Sequence, residues 1–361
     1  MKLVKLFKIG FLKLISRRKI RPLPLSKSPK FLLLMHQNIG DMIVFSPLIR
    51  EIKVAYPNSN LQVLASNNNR VIAEENPYID KVILYQNKWN KLFPLLIDLK
   101  SINFDFVVEL EAKVVTKVIL MLRIINPNCI LSVSKREGRY GLDPAAVLPY
   151  DYYTDDKLNH QRDTSLDILR LINVNVRNKS YDLFYSEKNK EKALKFINYF
   201  NPKDILVGLN ITGSSNEKRL INSDIFKIID GLHSLSKNII IILIHMPQEK
   251  SFIETLITFE NSKFVIPSYP TSSILDAAAL VDSIDLLLTP DTSLVHIACA
   301  FEKPLLAIYR KDQAAFDAWH PKSKDSHVVF SKESNSLKSL DVDEIISKCF
   351  ELISTSIKKD L

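Results

Sequence analysis

Nine short runs of aliphatic and β-branched residues, each followed by a stretch of helical spacing, constrain this chain more than any other feature. They occupy 31–35, 61–65, 81–85 and 105–110 in the first half, and 204–210, 238–245, 263–266, 284–289 and 304–309 in the second. Such alternation is the pattern of parallel sheets flanked by helices, because parallel neighbours need a long crossover between them. With 361 residues and 46% hydrophobic composition, the chain is long enough to build two such cores. The charge-dense stretch 185–204, with a Pro just before a new apolar run, is the expected link. The expected organisation is a segment 1–30, a first domain 31–185, a linker region 186–203 and a second domain 204–361. The fold class is α/β, two Rossmann-like domains facing one another, with ligands in a cleft at the carboxyl ends of the strands.

Charge separates the first thirty residues from the rest. Residues 1–30 hold ten Lys or Arg and no acid; of 49 basic residues in all, 39 remain against 40 Asp and Glu, so the body is nearly neutral. A nucleic-acid partner is therefore not expected. On a helical wheel Leu3, Val4, Phe7, Phe11, Leu14 and Ile15 line one face and Lys2, Lys5, Lys8 and Lys13 the other, although Arg18 falls on the apolar side. That pattern predicts a helix lying on an anionic membrane surface. Lysines interrupt every apolar run and no stretch offers 18 uncharged apolar residues, so neither export nor a membrane span is expected. The cysteines, Cys129, Cys299 and Cys349, are odd in number and far apart, which fits a reducing cytoplasm and predicts no structural zinc.

Three polar corners follow apolar runs. In "QNIGDMIVFSPLIREIKVAYPN" a strand ends near His36, Gly40 permits a tight turn, and Asp41 opens a helix that Ser46-Pro47 restarts or kinks. Asp41 is equally readable as a helix cap or as a general base. His160 is the next candidate base. The run 204–210 empties into Thr212, Gly213, Ser214 and Ser215, a loop able to hold a diphosphate, with Lys218 as a cation for the charge that grows on a departing phosphate. In "DLLLTPDTSLVHIACAFEKPLLAIY" a third run opens into Asp291, Thr292 and Ser293, with His296 inside the next helix. Each of these could be a cap or a core histidine. Their shared placement at strand carboxyl ends favours a ligand site.

These residues resemble glycosyltransferase family 9, the heptosyltransferases of lipopolysaccharide core assembly. "IGDMIVFSPLIREIKVAYPNSNLQVLASNNNRVIAEENPYIDKVILY" is similar to the family's N-terminal signature, and "LLLTPDTSLVHIACAFEKPLLAIYR" to its C-terminal Asp-Thr-Gly-x-x-His-x-Ala-Ala motif, over about residues 31–335. The resemblance implies a GT-B fold and an inverting transfer without metal or other cofactor, usually from ADP-heptose, onto a lipid-linked oligosaccharide acceptor at the inner face of the bacterial cytoplasmic membrane. It implies that Asp41 is the general base, with Gly40 and His160 on the acceptor side, and that Lys218 contacts the donor diphosphate. Thr212, Gly213, Ser214, Ser215, Asp291, Thr292, Ser293 and His296 would hold the donor. Ser293 stands where the family usually has Gly, Arg219 where a Trp commonly follows the lysine, and Arg310 where a Gly usually ends the last strand.

The residues exclude some rivals. No G-x-G-x-x-G or G-x-x-x-x-G-K-[ST] occurs, which removes the usual dinucleotide and P-loop signatures. Asp341-Val342-Asp343 has the spacing of a metal-binding acidic pair but precedes a helical pattern, so a helix cap is expected there. A non-catalytic member that binds a sugar nucleotide or assembly partners at the membrane is the alternative, motivated by the three departures; the presence of both Asp41 and Lys218 favours the enzyme.

Overall fold

The computed structural model describes residues 10–11, 14, 16, 18–135, 150–155, 160–213 and 215–356. The chain divides into two compact units, Met1–Lys179 and Ser180–Leu361. In the first, β1 (Lys30–Met35), β2 (Asn60–Ala65), β3 (Lys81–Leu84), β4 (Phe106–Glu109), β5 (Cys129–Ser132) and β6 (Tyr152–Tyr153) form one sheet in the order β3-β2-β1-β4-β5-β6. In the second, β7 (Ile205–Asn210), β8 (Ile239–Ile244), β9 (Val265–Pro267), β10 (Leu286–Pro290), β11 (Leu305–Tyr309) and β12 (Ser326–Phe330) run β12-β11-β10-β7-β8-β9. All the pairings are parallel. Counted from its own first strand, each sheet has the doubly wound order 3-2-1-4-5-6, with the reversal between β1 and β4 in one unit and between β7 and β10 in the other.

Helices on both faces explain why the strands read as unbroken apolar runs rather than alternating ones: β7 is buried at all six positions. On one face of the first sheet the helices Trp89–Ser101 and Thr116–Ile125 pack through Leu92, Leu96, Leu99, Val118, Met121, Leu122 and Ile125. Phe31 stacks on Phe106 at 4.8 Å, joining β1 to β4. In the second unit the helices Asn222–Leu235 and Val342–Ser356 lie together, with Gly231 against Ile346. Asp341 caps the latter through Glu344 N (3.1 Å), as expected. The three cysteines are free and buried. No helix among the described residues is long and apolar enough to cross a membrane.

The division between the units falls at residues 179 and 180, earlier than 186–203. Glu51 fixes the last residues of the first unit, accepting from Arg177 N (2.7 Å) and Asn178 N (3.3 Å). Just beyond, Tyr185 donates to Asp282 (2.6 Å) and lies edge-on to Phe301. The stretch read as a linker is the helix Glu187–Ile197, tied to the second unit by Asn189 and Lys192 bonding Asp276 (3.0 and 2.8 Å). The first unit likewise begins before residue 31: Arg18 pairs with buried Asp151 (3.1 Å) and donates to the carbonyls of Pro127 and Asn128. That contact accounts for an arginine on the apolar side of the basic segment. Gly10, Phe11, Leu14 and Ser16 of that segment are helical, with Phe11 and Leu14 exposed.

Candidate active site

At the reversal point of the first sheet, the chain leaves β1 through His36 and Gln37 and enters the helix Ile39–Val44 with Asn38 as N-cap. Gly40 is the second residue of that helix, so the corner is made by residues 36–38 and not by the glycine, a correction to the expected turn. The helix restarts at Ser46 with Pro47 in its first turn, where the missing N–H costs nothing. Asp41 sits at the third position and accepts from Asn38 N (3.0 Å), the backward half of a capping box. Capping and chemistry are not exclusive here. Burial raises the Asp41 pKa above its ordinary 3.8, with the hydrogen bonds from Asn38 opposing, so this is a carboxylate with more than usual appetite for a proton.

The neighbouring strand ends supply groups the sequence reading did not single out. Glu109 at the end of β4 forms an ion pair with Lys135 and accepts from Ser132 Oγ (2.8 Å) and Glu111 N (2.8 Å). Lys135 also donates to the Glu111 carbonyl and lies 4.7 Å over the Tyr150 ring. Burial and then the charges of Glu109 and, more weakly, Asp41 push the Glu111 carboxyl up. On the other side of the corner, the His36 and Tyr85 rings meet at a tilt, 4.4 Å between centroids, and burial with the charge of Lys117 lowers the His36 pKa to about 4. The base candidate thus has carboxylates on one flank and a neutral imidazole on the other. His160 is the N-cap of the helix Gln161–Asp167, its Nδ1 accepting from Arg162 N (3.1 Å), which gives it a capping role.

The reversal point of the second sheet is more tightly organised. Asn210, the last residue of β7, donates to Thr289 Oγ1 (2.8 Å) on β10, and its carbonyl oxygen Oδ1 accepts from Thr212 N (3.2 Å) and Oγ1 (3.0 Å). Thr292 caps the helix Ser293–Ala300 through Leu294 N (3.3 Å), with Ser293 as its first residue. Lys218, at the end of a short 3₁₀ turn capped by Ser215, reaches Asp291 Oδ2 at 2.5 Å and the Asp291 carbonyl at 3.3 Å. Gly213 makes this possible: a Cβ there would lie 2.3 Å from the Lys218 carbonyl oxygen, so any side chain would expel the lysine's backbone. His296 is buried, its Nδ1 has no hydrogen-bond partner among the described residues, and burial lowers its pKa to about 4, leaving a neutral imidazole between Tyr181 and Trp319. Ser214 lies outside the described residues.

The second unit therefore brings Thr212, Gly213, Lys218, Asp291, Thr292 and His296 to one strand-end cluster, with a cation and the start of an eight-residue helix available to an anion. A family profile for glycosyltransferase family 9 (heptosyltransferase) matches residues 104–348. The chain belongs to glycosyltransferase family 9. A protein of Escherichia coli (strain K12) named as a candidate lipopolysaccharide heptosyltransferase 4 is 26% identical over 312 residues, covering 84% of this chain and 81% of that one. Lipopolysaccharide heptosyltransferase 3 of the same organism is 20% identical, covering 78% and 82%. Among solved structures, a family 9 glycosyl transferase of Veillonella parvula DSM 2008 matches with a TM-score of 0.73 at 18% identity, over 92% of this chain and all of that one. The E. coli heptosyltransferase WaaC with ADP-2-deoxy-2-fluoro heptose matches with a TM-score of 0.66 at 16% identity, covering 89% and 99%. The fold is GT-B, and this family 9 member is a glycosyltransferase.

Two of its departures from the family pattern have local explanations. Arg219, where a Trp is common, pairs with buried Glu249 at 2.9 Å and lies 5.8 Å from the Phe252 ring, so it fastens the loop after β7 to the loop after β8. Ser293 is a helix N1 residue, a position open to serine as well as glycine. Arg310 acts on the exposed Glu217 carboxylate; nothing further in the structure explains it.

Proposed function

We propose that this glycosyltransferase transfers a heptose from ADP-heptose, with inversion and without a metal, onto a lipid-linked oligosaccharide of the lipopolysaccharide core at the inner face of the cytoplasmic membrane. The first unit takes the acceptor and the second the donor. The observation that carries the reading is Asp41: a carboxylate with raised proton affinity, on the first turn of a helix at a sheet reversal, is suited to take the proton of an acceptor hydroxyl. As that hydroxyl attacks the anomeric carbon, the bond to the diphosphate breaks and negative charge gathers on the leaving oxygen. Lys218 and the N–H groups at the start of the helix Ser293–Ala300 can neutralise it, which is the service a divalent ion gives in other transferases. When the diphosphate arrives it competes with Asp291 for the lysine, freeing that carboxylate for sugar hydroxyls. The relatives named for lipopolysaccharide heptose transfer support the choice of donor and acceptor.

The direct test is transfer by the purified chain from ADP-heptose to a core acceptor in excess EDTA, with the anomeric configuration of the product read by NMR. Sustained turnover with inversion is expected. Turnover that requires Mg²⁺ or Mn²⁺, or a retained configuration, would overturn the proposal.

A further inference from the structure

We propose that the outer face of the helix Trp89–Ser101 is a second membrane-seating surface, one that lays the first unit on an anionic bilayer beside the corner holding Asp41. The proposal rests on the reading above that the acceptor is lipid-linked, and it names residues of the folded body rather than the N-terminal segment.

The inner face of this helix is fully used: Leu92, Leu96 and Leu99 are buried in the core. Its outer surface carries Asn90, Lys91, Asp98, Lys100 and Ser101, yet one side of that surface is apolar. Trp89, Phe93 and Ile97, spaced by four, are 44%, 52% and 46% exposed, and Pro94 is exposed beside them. Residues four apart on a helix share a face, so these side chains make one stripe. Around it Lys88, Lys91 and Lys100 are exposed, against a single acid of the helix, Asp98. A protein partner's complement would be expected to be poor in lysine at such a face, since lysine is depleted from protein interfaces. Trp and Phe flanked by lysines instead match the boundary of an anionic bilayer, where rings enter the headgroup layer and ammonium groups meet lipid phosphates.

The position of the stripe gives it a use. Its tryptophan end lies at the carboxyl edge of the sheet: Lys117 Nζ sits 5.4 Å over the Trp89 ring and 5.5 Å over the Tyr85 ring, and the Tyr85 ring meets at a tilt that of His36, which leads into the helix bearing Asp41. A bilayer meeting Trp89, Phe93 and Ile97 therefore runs past the base candidate, and the sugars of a lipid-linked acceptor would emerge next to it.

The experiment uses the full chain and vesicles of phosphatidylcholine with about one-third phosphatidylglycerol, an anionic surface of the required kind, with neither donor nor acceptor present. In a Trp319→Phe background the emission of Trp89 should shift to the blue on vesicle binding and be quenched by brominated acyl chains. The pair Phe93→Glu with Ile97→Glu should weaken vesicle partitioning by about tenfold or more while thermal melting is unchanged, both side chains being exposed. Phe93→Ser with Ile97→Ser provides the same comparison without added charge. Unshifted and unquenched Trp89 emission, or partitioning equal to that of the unsubstituted chain in both pairs, would overturn the proposal. So would a concentration-dependent dimer, formed without vesicles and abolished by these substitutions, which would assign the face to a second copy. Because no turnover is measured, these results stand apart from whether the donor is ADP-heptose.

Discussion

At the scale of single residues, Asp41 carries two duties, and one substitution separates them. Burial lifts its pKa above 3.8, so the folded chain holds this proton more tightly than the unfolded chain. Stability from the group is therefore complete below the ordinary value and is lost as pH rises through the folded one. At neutral pH the ionised carboxylate is a cost, partly offset by its bond to Asn38 N. An amide oxygen can keep that bond without the charge, so Asp41→Asn should melt at or slightly above the parent, within about 1 kcal/mol. Its turnover should fall by roughly 10²- to 10⁴-fold with donor affinity little changed, the loss expected for a positioned base. Near-normal turnover in steady-state assays would leave Asp41 as a capping residue alone. Asp41, Lys218, Asp291 and His296 could be proposed from the sequence because each lies within eight residues of the end of an apolar run that became a strand. Glu109, Glu111 and Lys135 were not: their grouping needs β4 and β5 to be neighbours, and β5 itself was hidden.

Hidden strands share physical causes at the scale of elements. The nine short apolar runs all became strands; the central ones, such as β1 and β7, are buried on both faces and therefore read as continuously apolar, while the edge strands β3 and β9 are only partly buried. β5 was missed because its four residues follow the apolar helix Thr116–Ile125 after only Asn-Pro-Asn, so helix and strand merge into one hydrophobic stretch. β6 has two residues, and β12 is an edge strand of mixed polarity whose pattern is too weak to read. Helix packing was equally silent at Gly231. A Cβ there would come within 2.6 Å of Ile346 Cγ1, an atom near the root of its side chain and unable to swing far. Gly231→Ala gains about 1 kcal/mol of helix propensity but forces the two helices apart, an overpacking cost of about 1–3 kcal/mol, so net destabilisation is expected. Adding Ile346→Ala should recover part of the loss in urea denaturation; an alanine at 231 that stabilises the chain would show that the helices yield freely.

For the whole molecule, the charge map and the fold meet at the N-terminal segment. The ten basic residues before residue 31 are not equivalent, because Arg18 and Arg21 belong to the body: Arg18 bonds Asp151 and two carbonyls, and Arg21 supplies its own N–H to Asp151 (2.9 Å) and its guanidinium to Pro127 O (3.1 Å). Lys2, Lys5, Lys8 and Lys13 precede this anchor in the chain. Removing residues 1–15 should weaken binding to anionic vesicles, by about 1 kcal/mol for each lysine that reaches the lipid, with less difference at high salt. Stability in urea should stay within about 0.5 kcal/mol of the parent. Removing residues 1–28 does something different in kind. It strips Asp151, whose side chain is fully buried, of its cation and of one backbone donor, leaving the bond from Ile130 N (2.7 Å). An uncompensated buried charge costs about 3–5 kcal/mol, so the longer truncation should unfold at markedly lower urea even where its vesicle binding resembles that of the shorter one. Equal urea midpoints for the two truncations would mean that the Arg18–Asp151 pair holds nothing together, and the body would then begin at Phe31 as the sequence pattern alone suggests.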